Sequence, residues 1–214
     1  MSRRTWTLGG LALALVGSAL WATSVGSVAI PFGTVTAALV DRLPGLGLMG
    51  ATSTQEAIVV HLRLPRVLLA AIVGGGLAVS GAALQGLFRN PMADPGIIGV
   101  SSGGALGGVF AVTSGLALER AWTLPLFAFV GATAATWIIY RLSTRHGRTP
   151  LAVLLLAGLA VSAFLSAMMS FLLSLAQNIL ILRELIFWLL GGLEGRGWHH
   201  LGLIVLPALL GCMA

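Results

Sequence analysis

Charged residues punctuate this chain sparsely, and the stretches between them are long and apolar. A helix needs about 20 predominantly apolar residues to cross the hydrocarbon of a bilayer. Five uncharged runs reach that length: Leu8 to Ile30, Val67 to Phe88, Gly96 to Leu118, Ala121 to Tyr140 and Leu151 to Ala176. Each predicts one complete span with some tilt. A shorter stretch, Leu185 to Leu193 within a segment of about 181–193, predicts an interfacial or re-entrant helix. A sixth run opens at Leu201 and is still uncharged at Ala214, so it reads as a partial span cut off before its end. The expected fold is all-α, a polytopic transmembrane helical bundle forming one domain over residues 1–214.

Composition removes the soluble alternatives. The chain is 57% hydrophobic and 8% charged, with a mean hydropathy of +1.01, whereas a water-soluble domain is about a quarter charged. Twelve basic and six acidic residues cannot clothe this much apolar material in water, which excludes a soluble enzyme and a disordered tail alike. Every basic residue is arginine, so no P-loop ending in Gly-Lys-Ser/Thr exists. The net charge of +6 therefore speaks to topology and contacts, not to nucleic acid. The single cysteine, Cys212, forms no intrachain disulfide, and no metal site is expected.

Arg3 and Arg4 before an apolar stretch, with Ser27-Val28-Ala29 after it, imitate a cleavable signal. The apolar region is longer than the usual 7–15 or so residues, and four more spans follow, so an uncleaved first span is expected. With the N-terminus in the cytoplasm, five crossings place Arg89 and the cluster Arg141, Arg145 and Arg148 there too. Arg42, Arg63, Arg66, Arg120, Arg183 and Arg196 fall on the outer side. The raw count ties, and the orientation rests on the Arg141 to Arg148 loop. Trp6 and Trp137 then mark the inner interface, Trp122 and Trp198 the outer one.

Glycine, 29 of 214 residues, is about twice its usual share of roughly 7%. Gly74, Ala78, Ala82 and Gly86 in the second span, and Gly99, Gly103 and Gly107 in the third, recur at every fourth position. Such stripes let helix backbones approach closely in lipid, where water does not drive helices together. In the fifth span Gly158, Ser162, Ser166, Ser170 and Ser174 carry a hydroxyl or nothing at each fourth position. Hydroxyls facing lipid gain nothing, so the four serines are candidates to line a polar path; the alternative is bonding to carbonyls one turn back.

Between spans two and three, Arg89-Asn90-Pro91-Met92-Ala93-Asp94-Pro95-Gly96 predicts a sharp turn, because each proline biases the residue before it away from helix. Asp94 fits an N-cap with Pro95 at the first helical position. A compact polar turn at the inner end of a glycine-rich helix pair is also a place for a narrow gate. Leu62-Arg63-Leu64-Pro65-Arg66 opens span two on the outer face. Arginine near a helix N-terminus opposes the dipole, and here it also opposes the positive-inside tendency. A headgroup contact would account for these charges; an acidic partner protein accounts for them better.

Together these residues carry a resemblance. Leu62 to Arg66, Gly81 to Gln85 and Arg89-Asn90-Pro91-Met92-Ala93-Asp94-Pro95-Gly96 continuing to Gly103 resemble the permease subunits of type II ABC importers for ferric siderophores, haem and cobalamin. Leu154-Leu155-Leu156-Ala157-Gly158 and Phe187-Trp188-Leu189-Leu190-Gly191-Gly192 follow in the same order. The resemblance covers nearly the whole chain and implies a fold of about ten spans per subunit. It implies a homodimer in the bacterial inner membrane, two cytoplasmic ATPase subunits that use ATP, and a periplasmic binding protein. No cofactor is implied for this chain itself. Arg63 and Arg66 fall where the family's arginines receive glutamates of the binding protein. Asn90 and Met92 fall in the cytoplasmic gate, methionine replacing the commoner leucine, and Leu151 and Ala152 fall in the other gate loop, where the family carries hydroxyl residues. The helix and loop that dock on the ATPase follow span six in the family, and this chain stops before reaching them.

Asp94 to Gly103 looks most like the haem-transporting branch, which implies haem as substrate, with ferric siderophore or cobalamin as alternatives. His199 and His200, with Met168 and Met169, are then candidate transient haem contacts. The rival class is a non-transporting scaffold or an intramembrane enzyme. Intramembrane catalysis and proton-coupled carriage both use ionisable groups within the spans, and these five spans contain no Asp, Glu, His or Arg.

Overall fold

The computed structural model describes residues 3–40, 53–118, 120, 122–176 and 178–213, and its regular structure is helical throughout. The chain divides into two compact units, residues 1–76 with 193–214 and residues 77–192.

The first unit holds α1 (Arg3–Ser24), α2 (Phe32–Val40), α3 (Ser53–Ala57), a π-helical segment (Ile58–Arg63), the first half of α4 (Leu64–Phe88) and α9 (Trp198–Met213). The first span is expected to reach Ile30, but α1 stops at Ser24. Residues 25–30 are apolar enough to hide the break; they leave the helix so that Ile30 can join a core with Val35, Ala38 and Val59. Pro31 restarts the chain by accepting from the Thr34 and Val35 amides, and α2 forms where the sequence predicts no element.

Helix runs without interruption from Thr54 to Phe88, across a proline. The π segment makes this continuity possible. The Leu64 amide donates five residues back, to the Val59 carbonyl. In the same register Pro65 would donate to Val60, but proline has no N–H. The indole Nε1 of Trp198 supplies the missing bond, 2.9 Å from the Val60 carbonyl. Trp198, marked from sequence as an interface residue, therefore ties α9 to the helix at the carbonyl that Pro65 cannot serve.

The second unit holds the rest of α4, a 3-10 turn (Pro95–Ile98), α5 (Val100–Thr113), a 3-10 turn (Leu116–Leu118), α6 (Thr123–Ser143), α7 (Leu151–Ser174) and α8 (Ile179–Leu189). Asp94 is an N-cap as its sequence suggests, its Oδ1 accepting from the Gly96 amide at 2.7 Å, but what it caps is the short 3-10 turn. Gly99 then enters the left-handed region, φ +76°, and α5 starts afresh behind it. A side chain cannot follow it there, since Ile139 of α6 already fills the space beside the Gly99 Cα. The continuous run expected over Gly96 to Leu118 thus becomes a helix of 14 residues, about 21 Å long and short of a crossing. Among the described residues four helical stretches are long and apolar enough to cross: Arg3–Ser24, Thr54–Phe88, Thr123–Ser143 and Leu151–Ser174. The stretch expected over 185–193 instead begins at Ile179, capped by the Asn178 side chain on the Leu180 amide, and ends before Gly191, whose φ is +79°.

Glycine decides the packing of this unit. A Cβ on Gly103 would strike the Gly131 carbonyl of α6, and one on Gly107 the Phe127 carbonyl, so α5 and α6 meet backbone to backbone. Gly158 of α7 gives the same room to the Ile97 carbonyl. Gly108 receives the Trp188 ring of α8. The stripe of the second span differs, because Gly74 and Gly86 face open space.

Substitution of Gly108 by Val removes the seat of Trp188 and is expected to cost about 1–3 kcal/mol by overpacking. Trp188→Ala removes the same contact from the other side. The double variant, compared by thermal unfolding in detergent, should fall short of the sum of the single losses by about 1 kcal/mol or more. Strict additivity would show that the ring does not depend on the glycine.

Candidate functional site

The arginine pair at the head of α4 separates into two roles. Arg63 is buried, 8% exposed. Its Nη1 donates to the carbonyls of Thr23 and Ser24, each at 2.9 Å, and its Nη2 donates to the carbonyl of Val28. These are carbonyls that the C-terminus of α1 and the following turn leave without helical partners. A guanidinium at a helix C-terminus also meets the negative end of the dipole. Gly26 makes the fit possible, since a Cβ there would lie 2.7 Å from Nη2. The Arg63 donors expected to face a docking partner are thus directed at carbonyls inside the protein.

Arg66, in the first turn of α4, is half-buried, and its Nε is enclosed without a hydrogen-bond partner. It remains the docking candidate of the pair. His199 and His200 open α9 with their rings edge to face, 5.8 Å apart. Burial, then the positive charge of Arg196 and the neighbouring His199, hold His200 below the usual imidazole range. The neutral ring accepts from the Gly197 amide at Nδ1, 3.3 Å away. That bond engages one of the two ring nitrogens of His200. Met168 and Met169 belong to α7 in the second unit, Met168 exposed and Met169 half-buried.

The turn after α4 is built by its own side chains. Arg89 takes a left-handed conformation, φ +47°. Asn90 Oδ1 accepts from the Met92 amide at 2.9 Å, and Gln85 Nε2 donates to the Pro91 carbonyl at 3.1 Å. This holds Asn90 half-buried while Met92 projects, 81% exposed. The following turn rests on Gly158, seven residues into α7, about 10 Å along the axis from Leu151. Leu151 is half-buried and Ala152 exposed in the first turn of α7, behind the Pro150 carbonyl that accepts from Val153 and Leu154.

The serine stripe does not act as one surface. Ser162 is half-buried and accepts a hydrogen bond from Ser102 of α5 at 3.1 Å. Ser166, Ser170 and Ser174 are exposed. Ser170 bonds the Ser166 carbonyl at 3.0 Å and Ser174 the Phe171 carbonyl at 2.7 Å, the self-satisfied arrangement. A hollow of about 470 Å³ lies where α5 and α7 end and α8 begins, walled by Phe110, Leu172, Leu175 and Ile181. Its hydroxyls, on Thr113 and Ser114, bond back to Val109 and Phe110, and the Asn178 Oδ1 in its wall accepts from the Leu180 amide, so most of the wall is apolar. Among the described residues no group of acidic, histidine and cysteine side chains could hold a metal.

Sequence reasoning missed the two residues that hold the first unit's helix ends, Gly26 and Trp198. The signal for Trp198 was present in Pro65, which guarantees one unbonded carbonyl; nothing local names the group that meets it.

Replacing Arg63 by Met leaves the Thr23 and Val28 carbonyls without this donor, while Ser24 keeps its bond from the Ile30 amide, and is expected to cost roughly 2–4 kcal/mol. Lysine recovers only part, because an ammonium cannot fork across them. Gly26→Val evicts the guanidinium, so thermal unfolding of the Gly26→Val, Arg63→Met pair should be strongly sub-additive. An Arg63→Met protein with an unchanged unfolding midpoint would overturn this role.

Comparison with known proteins matches this geometry to a family. The FecCD transport family matches residues 12–214. The cobalamin import system permease protein BtuC of Halobacterium salinarum is 43% identical over 178 residues, 83% of this chain and 46% of the relative. The vitamin B12 import system permease protein BtuC of Escherichia coli is 40% identical over 162 residues, 75% of this chain and 49% of the relative. A metal-chelate type ABC transporter solved in an inward-facing conformation superposes with a TM-score of 0.77 at 30% identity, over 96% of this chain and 59% of its own. The chain spans about half the length of the curated relatives it matches. With nearly every residue inside the match and the helices superposing on a solved transporter, the chain belongs to the FecCD transport family, whose members are multi-pass membrane permeases.

Proposed function

We propose that this chain is permease sequence of a type II ABC importer that carries a metal chelate across the inner membrane, with cobalamin as the substrate. The observation that carries the reading is the identity of 43% and 40% to relatives named as cobalamin and vitamin B12 permeases. The haem reading drawn from Asp94 to Gly103 has less behind it, since His200 has its Nδ1 lone pair engaged. The permease works as a homodimer with its N-terminus in the cytoplasm. Two separate ATPase subunits hydrolyse ATP, and this chain performs no chemistry.

In this reading Arg66 receives a carboxylate of the periplasmic binding protein. Met92 and Asn90 form one side of the cytoplasmic gate, and Leu151 and Ala152 contribute from the start of α7. The side-chain bonds within the 89–94 turn support that role, because they hold a projecting apolar Met92 on a fixed backbone. Leu151 and Ala152 replace the family's hydroxyls, so this gate closes by apolar contact. Ser166, Ser170 and Ser174 offer weak polarity to the path, and Ser162 serves packing.

The deciding experiment is uptake into vesicles by the protein from the full reading frame, with its ATPase and binding protein, comparing cobalamin, haem and a ferric siderophore. Cobalamin uptake that depends on ATP is expected; uptake of haem or siderophore alone would overturn the substrate, and no uptake of any would overturn the importer reading. Arg66→Glu is expected to weaken association of the binding protein at least tenfold and to flatten its salt dependence. Unchanged affinity would remove Arg66 from the interface.

A further inference from the structure

α6 has 21 residues, about 31 Å of helix, close to the roughly 30 Å hydrocarbon thickness of a bilayer. Each end carries the same pair of side chains. Arg120 lies over the Trp122 ring at 5.8 Å, and Arg141 over the Trp137 ring at 5.5 Å. Trp137 and Tyr140 are 60% and 53% exposed, as residues of an aromatic belt are. The segment that follows Ser143 therefore stands at the level of the lipid headgroups.

That segment is a rigid hairpin. The amides of Arg145 and Arg148 each donate to the other's carbonyl at 3.0 Å. His146 and Gly147 form the turn with φ of +51° and +73°, and the Thr144 and Thr149 hydroxyls bond at 2.8 Å across its base. Arg145 and Arg148 are thus a directly opposed cross-strand pair, with side chains on one face of the ribbon. Like charges in that arrangement destabilise a hairpin. Both arginines are exposed, as is Arg141 one helical turn before Arg145. Asp94, one of the two acidic residues described in this unit, spends its carboxylate on the Gly96 amide.

We propose that Arg141, Arg145 and Arg148 bind the phosphate headgroup of an anionic phospholipid. A phosphate between the opposed guanidinium groups turns the repulsion of the pair into two bidentate contacts. The lipid's chains lie along the exposed Trp137 and Tyr140 face of α6. An anionic lipid is preferred to a zwitterionic one because the choline or ethanolamine cation would sit among three positive charges. This site does not depend on what the importer carries.

The test uses the full chain in vesicles containing a small fraction of brominated phosphatidylglycerol or brominated phosphatidylcholine. The Trp137 signal is taken as the difference between the parent protein and Trp137→Phe. Phosphatidylglycerol is expected to quench it several-fold more strongly, at up to roughly fivefold per arginine. Arg145→Gln with Arg148→Gln reduces that preference to at most the roughly fivefold that Arg141 alone supplies, and Arg145→Lys with Arg148→Lys keeps most of it. Equal quenching by the two lipids, or a preference undiminished in the glutamine pair, overturns the proposal. A glutamine pair that keeps the lipid preference but loses a co-purifying ATPase subunit overturns it too, and assigns the hairpin to a protein partner.

Discussion

A backbone carbonyl or amide left unbonded in hydrocarbon costs several kcal/mol, and every break in a membrane helix creates such groups. Helical hydrogen bonding is interrupted after Ser24, at Pro65 within a continuous helix, and at Gly99, and each interruption is answered by a specific group. Arg63 takes the carbonyls at the end of α1. Trp198 takes the carbonyl that Pro65 cannot reach. Asp94 takes an amide at the turn ahead of Gly99. The π segment joins the first two answers, since it carries both Arg63 and Val60, and its register pairs the Val60 carbonyl with a proline that has no N–H. Continuous helix across Pro65 and an early end to α1 are therefore parts of one arrangement.

Once the breaks are secured, close packing needs little apolar driving force. Lipid is as apolar as leucine, so burial does not select one helix arrangement over another; contact area does. The α5 and α6 backbones gain that area because Gly103, Gly107 and Gly131 have no side chains to hold them apart. Gly158 lets the 95–98 turn settle on α7, which fixes the 89–94 turn with its projecting Met92 relative to the start of α7. Both proposed gate segments are thereby positioned by glycines remote from them.

The arginines illustrate how little a count of charges says about use. Six positions conflict with a simple positive-inside reading. Arg63 is enclosed and bonded to carbonyls, Arg120 lies over Trp122, and Arg183 lies over Phe187 at 5.6 Å. A charge neutralised by carbonyl dipoles or shared with an aromatic face can sit on either side of a membrane at modest cost. Arg145, Arg148 and Arg66 have neither kind of contact among the described residues, and their charges can meet partners.

The sequence by itself determined the class of the protein and most of its helices. Charge-free runs of about 20 residues have few alternatives to helix in a bilayer, and the spans led by α6 and α7 follow from that alone. Asp94 was legible as a cap because a capping carboxylate acts on an amide two residues away. The third run was not legible, because Gly99 and Gly115 break a stretch whose hydropathy never changes. Only the tertiary structure decided the role of Arg63, whose carbonyl partners lie 35 to 40 residues earlier, and of Trp198, whose partner lies 138 residues away. It also split the serine stripe, since a residue every fourth position drifts around the helix, so that Ser162 meets α5 and Ser170 does not. Local patterns record what a residue can do within a turn or two; which distant orphan group it must satisfy is fixed when helix ends are brought together.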